Sequence, residues 1–266
     1  MSKKRSLAIL CDYGLDDMAA TVYLLEHASS FNKIDILAIA GNFPLSVSAL
    51  NAKRILNSYE KLPENVRLVD TSEIKQFGES IPDIHGSDGM GNVLPPPPAD
   101  IEERFKAMPY SEWLEGVDES YTVLSLGPCT VTRDILEKKG ALPLVMMAGN
   151  IAETPNFKGY EFNHALDIQA FAYCVKYEHV TATLDSCHCP QCDFYLISPD
   201  ANDMIKRIAQ KAIELSRTRG ETTCRIYDLV AAVYLIHPER YASEVLTDRD
   251  GNLVNTLKYI SPLPLV

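Results

Sequence analysis

The sequence predicts an α/β domain: an open, mostly parallel sheet with helices on both faces, running as one unit over residues 1–266. Short apolar runs alternate with segments of helical periodicity through most of the chain, and strands covered on both faces read as continuous apolar stretches. The composition, 46% hydrophobic and 23% charged, is that of a folded globular protein and excludes disorder, collagen and coiled coil. No Gly/Ser linker divides the chain.

The elements follow in order. Residues 6–12, 34–41, 66–70, 121–126, 142–148 and 180–185 are apolar runs of strand length. Residues 17–27 and 47–59 read as helices; in the second, Ala49, Ala52, Leu56 and Tyr59 share a face at three- and four-residue spacing. Residues 71–100 break the rhythm with Gly78, Gly86, Gly89, Gly91 and four consecutive prolines, which predicts a long surface excursion of the kind that usually serves function. Asp248-Arg249-Asp250-Gly251-Asn252, between residues 244–247 and 253–257, predicts a late hairpin.

The longest apolar stretches fall far short of the roughly 18 residues a membrane helix needs, so no membrane partner is expected. Lys3, Lys4 and Arg5 precede an apolar run that Asp12 ends after five residues, without a small-residue cleavage site, so a cytoplasmic protein is expected. A net charge of −11 disfavours a nucleic-acid duplex, whose binding relies on neutralisation by Lys and Arg. The seven cysteines are odd in number, and Cys11, Cys129 and Cys174 lie in apolar segments, which argues against a disulfide scaffold.

The first strand ends in Cys11-Asp12-Tyr13-Gly14-Leu15-Asp16-Asp17, three carboxylates within six residues at the edge where α/β sheets place their ligands. Like charges this close raise one another's pKa, and a hard divalent cation ligated by oxygen would relieve the strain. Helix capping competes for Asp16 and Asp17, which also suit a first helical turn, but leaves Asp12 unexplained. A phosphatase of the DxDx(T/V) type starts at a similar strand end, yet Asp12 lacks the partner aspartate two residues on.

This segment resembles the opening DxDxGxDD motif of the inosine-uridine nucleoside hydrolase family, and further matches follow in family order. Gly41-Asn42 is similar to its Gly-Asn, His85-Gly86-Ser87-Asp88-Gly89 to its HGxDG loop, and Leu126-Gly127-Pro128 to its GPLTN turn. Glu161-Phe162-Asn163 resembles the EFN motif, Leu184-Asp185-Ser186-Cys187-His188 the LDVTH strand end, and Tyr227-Asp228-Leu229 the HDP segment. Seven matches over roughly residues 7 to 238 are far more specific than any one.

The resemblance implies a Rossmann-like sheet carrying one calcium ion and hydrolysis of a ribonucleoside's N-glycosidic bond, in a homodimer or homotetramer. Asp12, Asp17, Asp228 and the backbone carbonyl of Leu126 would ligate the ion, with Asp12 also the general base. Asp16, Asn42, Asn156, Glu161, Phe162 and Asn163 would form the nucleoside site, with His85 on its base side. Leu10 stands in place of the motif's first aspartate, and Tyr227 in place of the histidine that many purine-active members use as the acid for the leaving base. A phenol of ordinary pKa near 10 is a weak proton donor at neutral pH, which favours a pyrimidine or modified purine nucleoside. Tyr227 could equally be an aromatic packed at a helix start. The two departures also admit a protein that binds a nucleoside or ribose without turnover. The cluster from Cys187 to Cys192 has the look of a metal knuckle, set against local packing or a lid segment, and no stoichiometric zinc is expected there.

Overall fold

Each apolar run forms a strand in the computed structural model, which describes residues 4–266; residues 1–3, part of the basic start and of the expected 1–266 unit, lie outside it. The strands are β1 (Ser6–Cys11), β2 (Ile34–Ala38), β3 (Val66–Asp70), β4 (Met108–Pro109), β5 (Tyr121–Ser125), β6 (Leu144–Met147), β7 (His179–Ala182), β8 (Tyr241–Thr247) and β9 (Leu253–Tyr259). They form one nine-stranded sheet in the order β4-β3-β2-β1-β5-β6-β7-β9-β8. Its pairs are parallel except β8 with β9, the hairpin the turn sequence marks. The chain winds outward from β1 through β4, then restarts at β5 on the other side of β1. The β1/β5 junction is therefore a topological switch point, where a crevice opens beyond the carboxyl ends of the strands.

Strand alternation divides β1 between two cores. Leu7, Ile9 and Cys11 pack with the helices Leu15–Glu26, Leu45–Asn57, Asp203–Thr218 and Tyr227–Ile236. Ala8 and Leu10 belong to the opposite core, with residues of the helices Tyr110–Glu115, Thr130–Lys139 and Ile168–Cys174. Leu10 is fully buried one alternation below Asp12, in the same core as Leu37, Ile39 and Val123, so an apolar residue underlies Asp12. On the same side, buried Asp35 binds Arg67 through both oxygens and accepts hydrogen bonds from Trp113 Nε1 (2.9 Å) and Tyr121 Oη (2.8 Å).

The expected strand over 180–185 ends earlier, at Ala182. Thr183 and Ser186 cap one another reciprocally and draw Leu184–Cys187 into a helical turn. The excursion over 71–100 contains one short helix, Pro82–His85, and its glycines at 86, 89 and 91 take positive φ. It is held by buried Arg54, which pairs with Asp88 (3.0 Å) and donates to the carbonyls of Leu94 and Pro95. Among the described residues no helix is long and apolar enough to cross a membrane.

Candidate active site

Beyond β1 the chain turns through Tyr13, at positive φ, and enters the helix Leu15–Glu26. This turn places Asp12 and Asp17 in the interior, both fully buried. The two oxygens of Asp12 accept from the Asn42 backbone N–H and side-chain amide, each at 2.8 Å. Asp17 Oδ2 accepts from Gly14 N–H (2.8 Å) and from the Asn42 amide (3.3 Å). Asp17 thus caps its helix with one oxygen. Its other oxygen, Oδ1, is buried with no hydrogen-bond partner among the described residues.

Asp228, in the first turn of the helix Tyr227–Ile236, completes the group. Oxygens of Asp16, Asp17 and Asp228 lie within 4.8 Å of one another. Asp16, expected on the ribose, thus joins this trio, while Asp12 lies outside it, clasped by Asn42. Burial, reinforced by the charge of Asp17, drives Asp12 and Asp228 well above the carboxylate range. Asp17 is pushed up to about 7 by burial and by Asp16. Buried, mutually repelling carboxylates with an orphaned oxygen are the donor set a hard divalent cation fits. The Leu126 carbonyl beside them accepts the Asn163 amide at 3.3 Å.

A cavity opens above these carboxylates. Asp16, Asn42, His85, Leu126, Asn156, Glu161, Phe162, Asn163, Tyr227 and Asp228 all line it. Of the site residues expected from the sequence, only Asp12 and Asp17 lie behind its wall. Ile81, Ile84, Met147 and Phe157 also line it, and these had no motif to reveal them. Ile81 and Ile84 arrive on the excursion, whose glycine and proline content marks a functional loop without naming its contacts. Phe157 packs edge-on against Phe162 with centroids 4.9 Å apart.

Glu161 is the N-cap of the short helix Phe162–Leu166. Its oxygens accept the N–H groups of Gly149 (2.8 Å), Asn163 (2.9 Å) and His164 (3.0 Å). Burial raises its carboxyl to about 7 against the lowering effect of these bonds. Oε2 accepts two of these bonds and Oε1 one, so Oε1 keeps a lone pair for a ligand hydroxyl. Asn163 spends its amide N–H groups on the carbonyls of Leu126 and Met147 at the ends of β5 and β6, which leaves Oδ1 as its acceptor.

His85 Nδ1 accepts the Leu15 N–H at 3.1 Å, so the neutral ring carries its proton on Nε2. Burial lowers its pKa, and with it the reserve of acid. Tyr227, at the start of its helix, is pushed well above the ordinary phenol value by burial and by neighbouring Cys187. In the former LDVTH-like segment, Asp185 accepts three successive N–H groups, those of Ile151, Ala152 and Glu153, and so shapes the loop carrying Asn156. Cys189 and Cys192 are joined by a disulfide, so their sulfurs are not free thiolates for a metal; the other five cysteines are free and buried. One bridge across two intervening residues is local closure rather than the scaffold excluded on composition.

Comparison with known proteins bears on the fold and the family. Among solved structures, a plant nucleoside hydrolase superposes with a TM-score of 0.71 at 17% identity, covering 96% of this chain and 87% of its own. An inosine-guanosine nucleoside hydrolase gives 0.70 at 19%, covering 97% and 89%. These likenesses establish the fold. An uncharacterized protein of Schizosaccharomyces pombe is 26% identical over 167 residues, 60% of this chain, and the matched stretch spans about half (54%) of that relative's length. The model of the inosine-uridine preferring nucleoside hydrolase family matches residues 7–257. The chain belongs to the inosine-uridine preferring nucleoside hydrolase family.

Proposed function

We propose that the chain is a calcium-dependent ribonucleoside hydrolase, cleaving the N-glycosidic bond of a pyrimidine or modified purine nucleoside to free base and ribose. The observation that carries this reading is the partnerless, buried Asp17 Oδ1 among carboxylates at the floor of a cavity at the switch point. Asp12, Asp17, Asp228 and the Leu126 carbonyl would hold calcium, which when bound supplies positive charge that relieves the carboxylate repulsion and acidifies water.

In this reading Asp12, oriented by Asn42, accepts a proton from the water that attacks the anomeric carbon. Asp16, Glu161 and Asn163 Oδ1 hold ribose hydroxyls, with Asn42 and Asn156 completing the rim. Hydrogen bonds that tighten as the sugar gains oxocarbenium character stabilise the transition state over the ground state. The C–N bonding pair leaves with the base. Ile81, Ile84, Phe157 and Phe162 offer the base an apolar enclosure, and His85 Nε2–H is a neutral donor rather than a strong acid. Because the Tyr227 phenol is pushed further from neutrality, the substrate's own leaving ability must contribute, which favours the pyrimidine or modified purine.

The same reading takes residues 1–266 as one domain of a cytoplasmic homodimer or homotetramer. Exposed Val245 and Leu253 on the edge hairpin would suit a subunit contact. The experiment is incubation with uridine, cytidine, inosine and base-modified purine nucleosides, followed by separation of base from nucleoside. Faster cleavage of a pyrimidine or modified purine than of inosine supports the assignment; tight nucleoside binding without base release selects the binding-protein alternative.

A further inference from the structure

The turn Asp248-Arg249-Asp250-Gly251-Asn252 between β8 and β9, a bare hairpin signal in the sequence, folds against His164 in the helix Phe162–Leu166. Asp248 is buried despite lying in a turn. Its Oδ1 accepts the N–H groups of Asp250 (2.9 Å) and Asn252 (2.8 Å), and its Oδ2 the Asn252 amide (2.8 Å). These bonds explain the turn. They leave His164 unexplained.

The His164 side chain is only 2% exposed, and its Nε2 is buried without a hydrogen-bond partner. Nε2 faces Asp250 Oδ2 at 3.9 Å, beyond hydrogen-bond reach, while Asp250 Oδ1 takes a long 3.4 Å contact from Tyr160 Oη. Tyr160 and Phe171 hold the imidazole from two sides, with centroids at 4.7 and 4.0 Å. Arg249, the cation of the turn, donates to the Gly159 carbonyl and lies over the Tyr160 ring instead of neutralising the carboxylates. A buried, unmet imidazole nitrogen facing two carboxylates is costly unless a cation completes the group.

We propose that His164, Asp248 and Asp250 form a second divalent-metal site, separate from the active-site carboxylates and selective for an ion of the zinc class. Their ligand atoms lie within 4.8 Å of one another, and a small rotation of the partly exposed Asp250 side chain closes that spacing around one ion. One imidazole nitrogen and two carboxylates suit zinc or cobalt, with water completing the shell, whereas calcium takes oxygen ligands. The chemical consequence is a clip. His164 N–H donates to Glu161 Oε2 and Asn163 is its chain neighbour, so an ion here pins the hairpin to the helix that lines the cavity.

The test uses the full chain, stripped with a chelator and saturated with calcium so that the oxygen-only site is filled. Zinc is then titrated calorimetrically, and cobalt by its visible absorption. The expected result is one zinc per chain, with a rise in Tm on binding. Asp250→Asn and His164→Gln should each weaken binding by at least about 10- to 100-fold. Asp250 is partly exposed, so its variant keeps the fold even where the histidine variant does not. Asp17→Asn and the double variant Cys189→Ser/Cys192→Ser should still bind. No zinc beyond the calcium-filled protein, binding undiminished in Asp250→Asn, or binding lost with the two cysteines would overturn the proposal.

Discussion

Replacing Gly41 by alanine should disable the site while leaving the fold in place. A Cβ at Gly41 would lie 1.8 Å from Asp12 Oδ2, 2.6 Å from its Cγ and 2.7 Å from its Cβ, where ordinary contact begins near 3.4 Å. The Gly41 backbone cannot retreat easily, because its N–H donates to the Phe43 carbonyl (3.1 Å) and its carbonyl accepts from Glu79 N–H (2.8 Å). Asp12 must therefore swing away and lose both bonds from Asn42. Hydrogen bonds to charged groups contribute roughly 1.5–3 kcal/mol each, so the displacement removes about 3–6 kcal/mol of positioning. Expressed fully in the transition state, that is a fall in kcat/KM of about 10²- to 10⁴-fold. The assay is base release by wild type and variant, with thermal melting alongside. Gly140→Ala is the control: nothing lies within 4 Å of its Cβ, so only the backbone strain of φ +76°, ψ −156° is added, which lowers Tm and leaves kcat/KM unchanged. A folded Gly41→Ala enzyme within threefold of wild type would refute the argument that Asp12 occupies the space this glycine leaves.

Other perturbations probe separate links. Asp17→Ala removes the orphaned oxygen and should lower both calcium content, read by elemental analysis, and activity; a metal-free yet fully active wild type contradicts this. Tyr227→Phe should keep kcat within about tenfold, because loss of a true general acid costs on the order of 10² or more; rapid inosine turnover abolished by this change would make the tyrosine the acid. His85 has its pKa lowered by burial, so the unfolded chain takes up a proton near pH 6.5 that the folded chain refuses. This contribution to stability is present above that pH and is lost as pH falls through the window between the unfolded and the lower folded value. In His85→Gln the slope of stability against pH in that window should flatten, and an unchanged slope would dismiss the assignment. Asp35→Ala leaves the buried Trp113 and Tyr121 donors unmet, while the partly exposed Arg67 turns to solvent, and should cost about 2–6 kcal/mol by urea unfolding.

Local chemistry made much of this legible. The strands of a two-faced parallel sheet are apolar throughout, so β1, β2, β5 and β6 announce themselves, whereas the two-residue edge strand Met108–Pro109 is too short to carry a pattern. The ten cavity residues found by motif sit where tight turns or carboxylates interrupt the sheet edge, features that leave a mark on sequence. Ile81, Ile84 and Met147 differ in no way from core residues until the chain is folded. The same limit hid the tasks of side chains: Asn42 clasps Asp12 and Glu161 caps a helix, roles set by partners 30 and 2 to 12 residues away. Asp16 shows the reverse case: its place in a first helical turn suggested capping, the family resemblance implied a ribose contact, and only tertiary packing brings it to Asp228.

Hydrolysis of a ribonucleoside by this chain is tested by counting products. Purified, calcium-loaded protein is incubated with uridine in phosphate-free buffer, and free base and free ribose are quantified from the same samples. Equal amounts of uracil and ribose are expected, accumulating over many turnovers and abolished in Asp17→Ala. Neither product from uridine or from any other nucleoside of the panel, with nucleoside still binding tightly, would contradict it.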